Sequence, residues 1–151
     1  NIFITIFLIH SILMNETFIT LSIKNFLKKN NYLIIQCLPP GGQGGLHFKV
    51  KSRPMYPDII AFKDGVMIVG ENKPSYSESD KVKLKELLDS EDLLRKGQEI
   101  LNDYSKSHKL SFRKIEKIEI FLGFAICSIF PQDGINFFHV NQDGKVTVLK
   151  G

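Results

Sequence analysis

The chain has 151 residues, of which 43% are hydrophobic and 24% charged, and its formal net charge is +4. This composition excludes a disordered or fibrous chain, and the length fits a single domain over residues 1–151. A basic balance favours a polyanionic partner such as DNA. The basic residues that support this expectation form two clusters with alternate spacing: Lys49, Lys51, Arg53, Lys81, Lys83 and Lys85.

The N-terminal residues and the cysteines give information about the cellular location of the protein. The apolar run at residues 2–14 is too short to span a bilayer and lacks the flanks of a signal peptide. We interpret it as an element at the edge of the core. The alternative is that residues 1–14 are an extension outside the core and that Met14 is the natural start. Cys37 and Cys127 have no disulfide or zinc-site spacing, which favours a reducing, cytoplasmic setting without membrane association.

The first half of the chain predicts a helix followed by strands. Residues 15–29 carry apolar side chains at helical spacing, with Asn15 as the N-cap and Asn30 after the end. Four apolar runs then predict strands: residues 32–37, 46–50, 58–62 and 66–70. A Pro- and Gly-rich break separates the first two runs. Asp64-Gly65, a strong β-hairpin signal, joins the last two.

The second half predicts helices and then strands. Residues 79–104 have helical apolar spacing, and a new helix start at residues 89–92 divides them into two helices. The long apolar run 118–126 predicts a central strand. Residues 136–140 and 145–149 flank a second turn and predict a terminal hairpin. This order predicts an α/β (α+β) fold with a central mixed sheet flanked by helices, plus a C-terminal β-hairpin.

Three polar residues stand at one end of the first predicted hairpin. Asp58 opens its first strand, and Glu71 and Lys73 lie at the end of its second. An antiparallel hairpin brings these two places together, and residues two apart on a strand point to the same face. Two carboxylates with a backbone carbonyl suit a hard cation, above all Mg²⁺. Such a cation polarises a phosphoryl oxygen, while a neighbouring lysine orients the attacking water.

Pro57-Asp58 followed by Glu71-Asn72-Lys73 resembles the signature of the PD-(D/E)XK nucleases, which share the restriction-endonuclease-like fold. The resemblance covers roughly residues 15–127, because the helix before the motif and the helix and strand after it match the family's α-β-β-β-α-β core. It implies a Mg²⁺-dependent endonuclease, with Mn²⁺ as a substitute, that hydrolyses DNA phosphodiester bonds. It also implies an enzyme that is either restriction-enzyme-like or junction-resolving and repair-like, and that acts as a homodimer.

The same resemblance implies a role for each residue of the motif. Asp58 and Glu71 would bind the metal, with the Asn72 carbonyl as a further ligand, and Lys73 would position the attacking water. In some branches of the family, including Holliday-junction resolvases, a glutamate of the first helix joins the catalytic site. Glu16 is the candidate for that position.

Other interpretations of these residues remain open. Asp58 alternatively ends a strand, and Glu71 with Lys73 alternatively forms an exposed ion pair of little energetic weight. Glu16 in the first turn of a helix is favoured by the helix dipole alone. The clustered lysines alternatively form a solvated face. The alternative function is a nucleic-acid-binding module that keeps the nuclease fold without catalysis.

Overall fold

The computed structural model describes residues 2, 15–38, 45–73, 78–124 and 134–151. The helices within these ranges are α1 (Glu16–Lys29), α2 (Glu78–Leu88) and α3 (Leu93–Ser107). The strands are β1 (Leu33–Cys37), β2 (Phe48–Val50), β3 (Arg53–Met55), β4 (Ile59–Lys63), β5 (Val66–Asn72), β6 (Lys117–Phe124), β7 (Asn136–Val140) and β8 (Val146–Leu149). The predictions for Met14, Cys127 and most of the N-terminal run and the Gly-rich break lie outside the described residues.

The described part of the chain forms one mixed sheet of six strands in the order β1-β4-β5-β6-β7-β8. Strands β1, β4 and β5 pair antiparallel, β5, β6 and β7 pair parallel, and β8 returns antiparallel to β7. Parallel neighbours need a long crossover, which α2 and α3 provide between β5 and β6. The predicted α/β (α+β) class, mixed sheet and C-terminal hairpin are confirmed. Among the described residues, no helix is long and apolar enough to cross a membrane.

The ends of the helices agree with the sequence signals. Asn15 caps α1, because its Oδ1 accepts a hydrogen bond from the backbone nitrogen of Phe18 at 2.9 Å. The chain leaves this helix through Asn31, which has a positive φ of 63°, a conformation that asparagine tolerates. The predicted break at residues 89–92 separates α2 from α3. The central strand is confirmed as far as Phe124, and its last two predicted residues are outside the described ranges.

Helices cover both faces of the sheet, so each strand divides its residues between two cores. On β5, Met67 and Val69 pack in the core beneath α2 and α3, while Ile68 packs in the core beneath α1. Side chains on a strand alternate between its faces. By the same alternation, Glu71 belongs to the α2 face and Asn72 to the α1 face.

The β4–β5 hairpin has the register that the sequence predicts. Ile59 pairs with Gly70, and Lys63 pairs with Val66 next to the turn. The turn residues Asp64 and Gly65 have φ values of 50° and 81°, as a type I′ turn requires. The prediction of adjacent antiparallel strands at 58–62 and 66–72 is confirmed, apart from Asp58 itself, which immediately precedes β4.

A second hairpin was only half predicted. The expected edge strand at 46–50 begins at Phe48, and it pairs with β3 in a separate two-stranded sheet. Its turn has positive φ at Lys51 (47°) and Ser52 (66°), yet it contains none of the glycine or asparagine that normally marks such a turn. Phe48 and Met55 are buried in the core beneath α2 and α3. Tertiary packing therefore stabilises a hairpin whose local sequence gives little signal.

Gly123 of β6 provides a test of how α1, β5 and β6 pack together. A β-carbon at this position would overlap with Oδ1 of Asn72 and Cδ1 of Ile23, and Nδ2 of Asn72 donates to Oγ1 of Thr20 at 3.3 Å. We expect Gly123→Ala to lower the free energy of unfolding by about 1–3 kcal/mol in urea denaturation. Because Ile23→Val removes Cδ1, the double variant should lose less stability than the two single variants combined. Additive losses would contradict this packing.

Candidate functional site

The candidate site lies where β4 begins and β5 ends, and neighbouring strand β1 fixes its backbone. The carbonyl of Asp58 accepts a hydrogen bond from the backbone nitrogen of Leu38 at 2.8 Å. The carbonyl of Pro57 accepts one from Nε2 of Gln36 at 2.9 Å. These two carbonyls lie on either side of the Asp58 α-carbon, so the hydrogen bonds fix the position of the backbone from which the Asp58 side chain extends.

Asp58 and Glu71 form a carboxyl pair at this edge of the sheet. Oδ2 of Asp58 accepts a hydrogen bond from the backbone nitrogen of Asn72 at 2.8 Å, and Glu71 is only 8% exposed. Burial raises the pKa of Glu71 to about 9, with further contributions from its hydrogen bond with Asp58 and from the charges of Asp58 and Asp80. Near neutral pH Glu71 therefore keeps its proton.

Lys73 contacts a third acidic residue that the sequence analysis did not identify. Its Nζ lies 3.9 Å from Oδ2 of Asp80, and Nζ of Lys83 lies 3.7 Å from Oδ1 of the same carboxylate. The side chain of Asp80 is 5% exposed, whereas that of Lys73 is 41% exposed. Asp80 therefore lies within the protein, and Lys73 extends from it towards solvent.

Glu16 lies within electrostatic range of the same group of residues. Burial raises its pKa, the positive charge of Lys73 lowers it, and the negative charges of Asp58 and Asp80 raise it again. Asp58 and Lys73 lie at the same end of the β4–β5 hairpin, and Asp80 lies on α2. The first turn of α1 therefore lies near these three charges, and the role of Glu16 in the site stays a prediction.

The donor atoms of the site fit a hard divalent cation. Asp58 and Glu71 offer carboxylate oxygens, and Mg²⁺ is commonly bound by one or two carboxylates together with waters and substrate phosphates. The Asn72 side chain points to α1, where it bonds Thr20, so only its backbone carbonyl is available on the site side. In the ranges that the structure describes, no group of three or more His, Cys, Asp or Glu side chains is arranged to hold a metal ion.

The six basic residues of the two clusters do not form one surface. Lys51, Arg53 and Lys83 line a cleft that also contains Glu71. Lys49 lines a different, smaller cleft. Lys81 and Lys85 are four residues apart on α2 and share one side of the helix, whereas Lys83 points about 200° away from Lys81. Of the three lysines in the second cluster, Lys83 therefore lines the cleft beside Glu71, and Lys81 and Lys85 lie on the other side of α2.

The sequence contains a signal that could have revealed Asp80. It lies in the first turn of α2, where an acidic residue is ordinarily explained by the helix dipole. However, Asp80, Leu84 and Leu87 are spaced at i, i+4 and i+7, and all three are buried on α2. A carboxylate on the apolar stripe of a helix faces the core. Because burying an unpaired charge is costly, a carboxylate at such a position indicates a cationic partner nearby.

Comparison with known proteins does not assign this chain to a family. No protein-family model matches it, and no curated protein matches it.

The raised pKa of Glu71 makes a prediction about stability in the absence of divalent cations. Folded Glu71 keeps its proton up to about pH 9, whereas the unfolded residue releases it near 4.5. Between these values the folded state binds the extra proton, so this group's contribution to the free energy of unfolding falls as pH rises.

Glu71→Gln cannot release a proton, so its stability relative to wild type should increase with pH across that window. Urea denaturation in EDTA at several pH values measures the difference. A difference that stays constant from pH 5 to pH 9 would show that Glu71 titrates as an ordinary exposed carboxyl.

Proposed function

We propose that this protein is a metal-dependent endonuclease with a restriction-endonuclease-like core, which hydrolyses DNA phosphodiester bonds. The observation that carries the proposal is the carboxyl pair of half-buried Asp58 and buried Glu71, with Lys73 two residues beyond Glu71. The order of helices and strands around this hairpin fits the resemblance to the PD-(D/E)XK nucleases. The cationic cleft that opens beside Glu71 fits a phosphate backbone.

The reaction that fits these residues is hydrolysis by direct displacement. The oxygen of a water molecule forms a bond to phosphorus, and the bond from phosphorus to the leaving sugar oxygen breaks. The attacking water loses one proton, and the leaving oxygen gains one, so no other co-reactant is needed. The ammonium of Lys73 can orient the water and stabilise negative charge that develops on the phosphoryl oxygens.

Asp58 and Glu71 would hold the cation, Mg²⁺ or in its place Mn²⁺, with the carbonyl of Asn72. When bound, such a cation polarises the phosphoryl oxygen and makes a bound water more acidic. Asp58 is prepared for this task because the backbone nitrogen of Asn72 already donates to its Oδ2. Glu71 must lose its proton to become a ligand, so the cation would replace that proton.

Asp80 and Glu16 have supporting positions in this proposal. The buried carboxylate of Asp80 lies between the ammonium groups of Lys73 and Lys83, and it limits the directions that Lys73 can take. We therefore propose Asp80 as a positioning residue for Lys73. Glu16 reaches the site from the other layer of the protein, and we propose that it contributes a further acidic group beside the metal.

The roles of Asp58, Glu71 and Lys73 can be separated by measuring cleavage and metal binding in parallel. We expect Asp58→Ala and Glu71→Ala to weaken both Mg²⁺ binding and cleavage of supercoiled DNA. Lys73→Ala leaves the ligands in place, so it should still bind Mg²⁺ while cleavage falls on the order of 100- to 1000-fold.

Matched controls lie at the opposite end of the same hairpin. Asp64→Asn removes a carboxylate at the turn, where asparagine tolerates the positive φ, and Lys63→Ala removes an ammonium from β4. Both control variants should cleave like the wild-type protein. If Lys73→Ala also cleaves like wild type, the assignment is wrong. Wild-type protein that binds DNA but cleaves no plasmid, cruciform or single-stranded DNA would instead indicate a non-catalytic binding module.

The positioning role of Asp80 makes a separate prediction. Asp80→Asn should lower kcat by about 10- to 100-fold, because a catalytic group that moves by about 1 Å can lose this much rate. Mg²⁺ affinity and KM should change little, and Asp80→Glu, which keeps the charge, should recover part of the rate. Equal losses for the Asn and Glu variants, or a loss that appears in Mg²⁺ affinity, would contradict the role.

The homodimer implied by the resemblance stays a prediction. Sedimentation of the purified protein, with and without DNA, would test it.

A further inference from the structure

A cleft of about 670 Å³ opens directly beside the carboxyl pair, between the β2–β3 hairpin and α2. Its volume falls in the range of about 300–1,000 Å³ that is usual for pockets that enclose small ligands. Glu71 forms part of its wall. A ligand in this cleft would therefore lie next to the position that the proposed function gives to the scissile phosphate.

The walls of the cleft combine two kinds of chemistry. Val50, Met55 and Tyr56 provide an apolar and aromatic part, and Tyr56 is 44% exposed although its neighbour Met55 is buried. In a DNA duplex the bases are paired and stacked inside, so an aromatic wall has little to bind. An unpaired base has a free π-face, and stacking on an aromatic side chain stabilises it by about 1–3 kcal/mol.

The second kind of chemistry is positive charge. Lys51, Arg53 and Lys83 reach the cleft, against the carboxyl groups of Glu71 and Glu86. Lys51 pairs with Glu86 at 3.3 Å, but the Lys51 side chain is 76% exposed, and exposed ion pairs of this kind are weak. A phosphate can therefore exchange for the carboxylate.

We propose that this cleft binds one unpaired nucleotide, with its base against Tyr56 and its phosphates near Arg53 and Lys51. The proposal rests on the proposed nuclease function and assigns its substrate class. That class is DNA with a single-stranded segment at the cleavage site, such as a flap or a single strand. Fully paired duplex DNA does not present a free base to the cleft.

The test measures binding without hydrolysis, in EDTA. Fluorescence anisotropy gives the Kd of wild-type protein for a labelled single-stranded oligonucleotide, for the same sequence as a blunt duplex, and for the same sequence as RNA. We expect single-stranded DNA to bind at least about tenfold more tightly than the duplex. We also expect a 2-aminopurine base in the single strand to lose fluorescence on binding, as stacking requires.

Variants then assign the effect to the cleft. Tyr56→Leu should weaken binding to the single strand on the order of 10- to 100-fold and abolish the quenching. Tyr56→Phe keeps the ring and should behave like wild type. Phe112→Leu is the matched control, because Phe112 is a 72% exposed aromatic residue that does not belong to the wall of this cleft.

The outcomes distinguish this proposal from the nuclease proposal. Equal or tighter binding of duplex, tighter binding of RNA, or equal effects of Tyr56→Leu and Phe112→Leu would each overturn the nucleotide cleft. Single-stranded DNA binding that depends on Tyr56 supports it. If that binding is accompanied by no cleavage of any DNA with Mg²⁺, the cleft stands and the nuclease proposal fails.

Discussion

The carboxyl pair of Asp58 and Glu71 depends on the register of the β4–β5 hairpin. Ile59 pairs with Gly70. Asp58 precedes Ile59 and Glu71 follows Gly70, so these two residues lie next to each other at the end of the paired strands. A slip of one residue would turn Glu71 to the α1 face and bring Asn72 into its place, because strand side chains alternate with a period of two. The Asp64-Gly65 turn and the buried residues of both strands fix this register, and so they fix the chemistry at the far end.

Glu71 occupies a position that would ordinarily hold a core residue. It continues the series of Met67 and Val69 on β5, and both of these are fully buried. A carboxyl group placed there costs stability unless it is hydrogen-bonded and uncharged, or paired with a cation. Leu38, which directly follows β1, and Asn72 of β5 donate hydrogen bonds to its partner Asp58, and β6 closes the other side of β5. The folded protein thus creates the cost by burying Glu71, and it places Asp58 within hydrogen-bonding distance of it.

Local signals in the sequence predict the parts of this site that depend on local structure. The Asp64-Gly65 turn and two apolar runs are enough to place Asp58 opposite Glu71, and the Asn15 cap places Glu16 at the start of α1. The contact between Lys73 and Asp80 depends on how α2 packs on the sheet, which no turn or cap specifies. The basic clusters illustrate a second limit. Alternate spacing puts side chains on one face of a strand but on opposite sides of a helix, so Lys83 separates from Lys81 and Lys85.

The β2–β3 hairpin forms one wall of the cleft, although its turn is locally unfavourable. Its turn holds Lys51 and Ser52 in the left-handed region, which costs a residue with a β-carbon roughly 1–2 kcal/mol. Glycine or asparagine at either position would avoid most of that cost. The burial of Phe48 and Met55 against the core offsets it. Packing against the core therefore stabilises a locally unfavourable hairpin. This hairpin keeps Lys51, Arg53 and Tyr56 beside Glu71, and a more flexible turn would hold these side chains there less firmly.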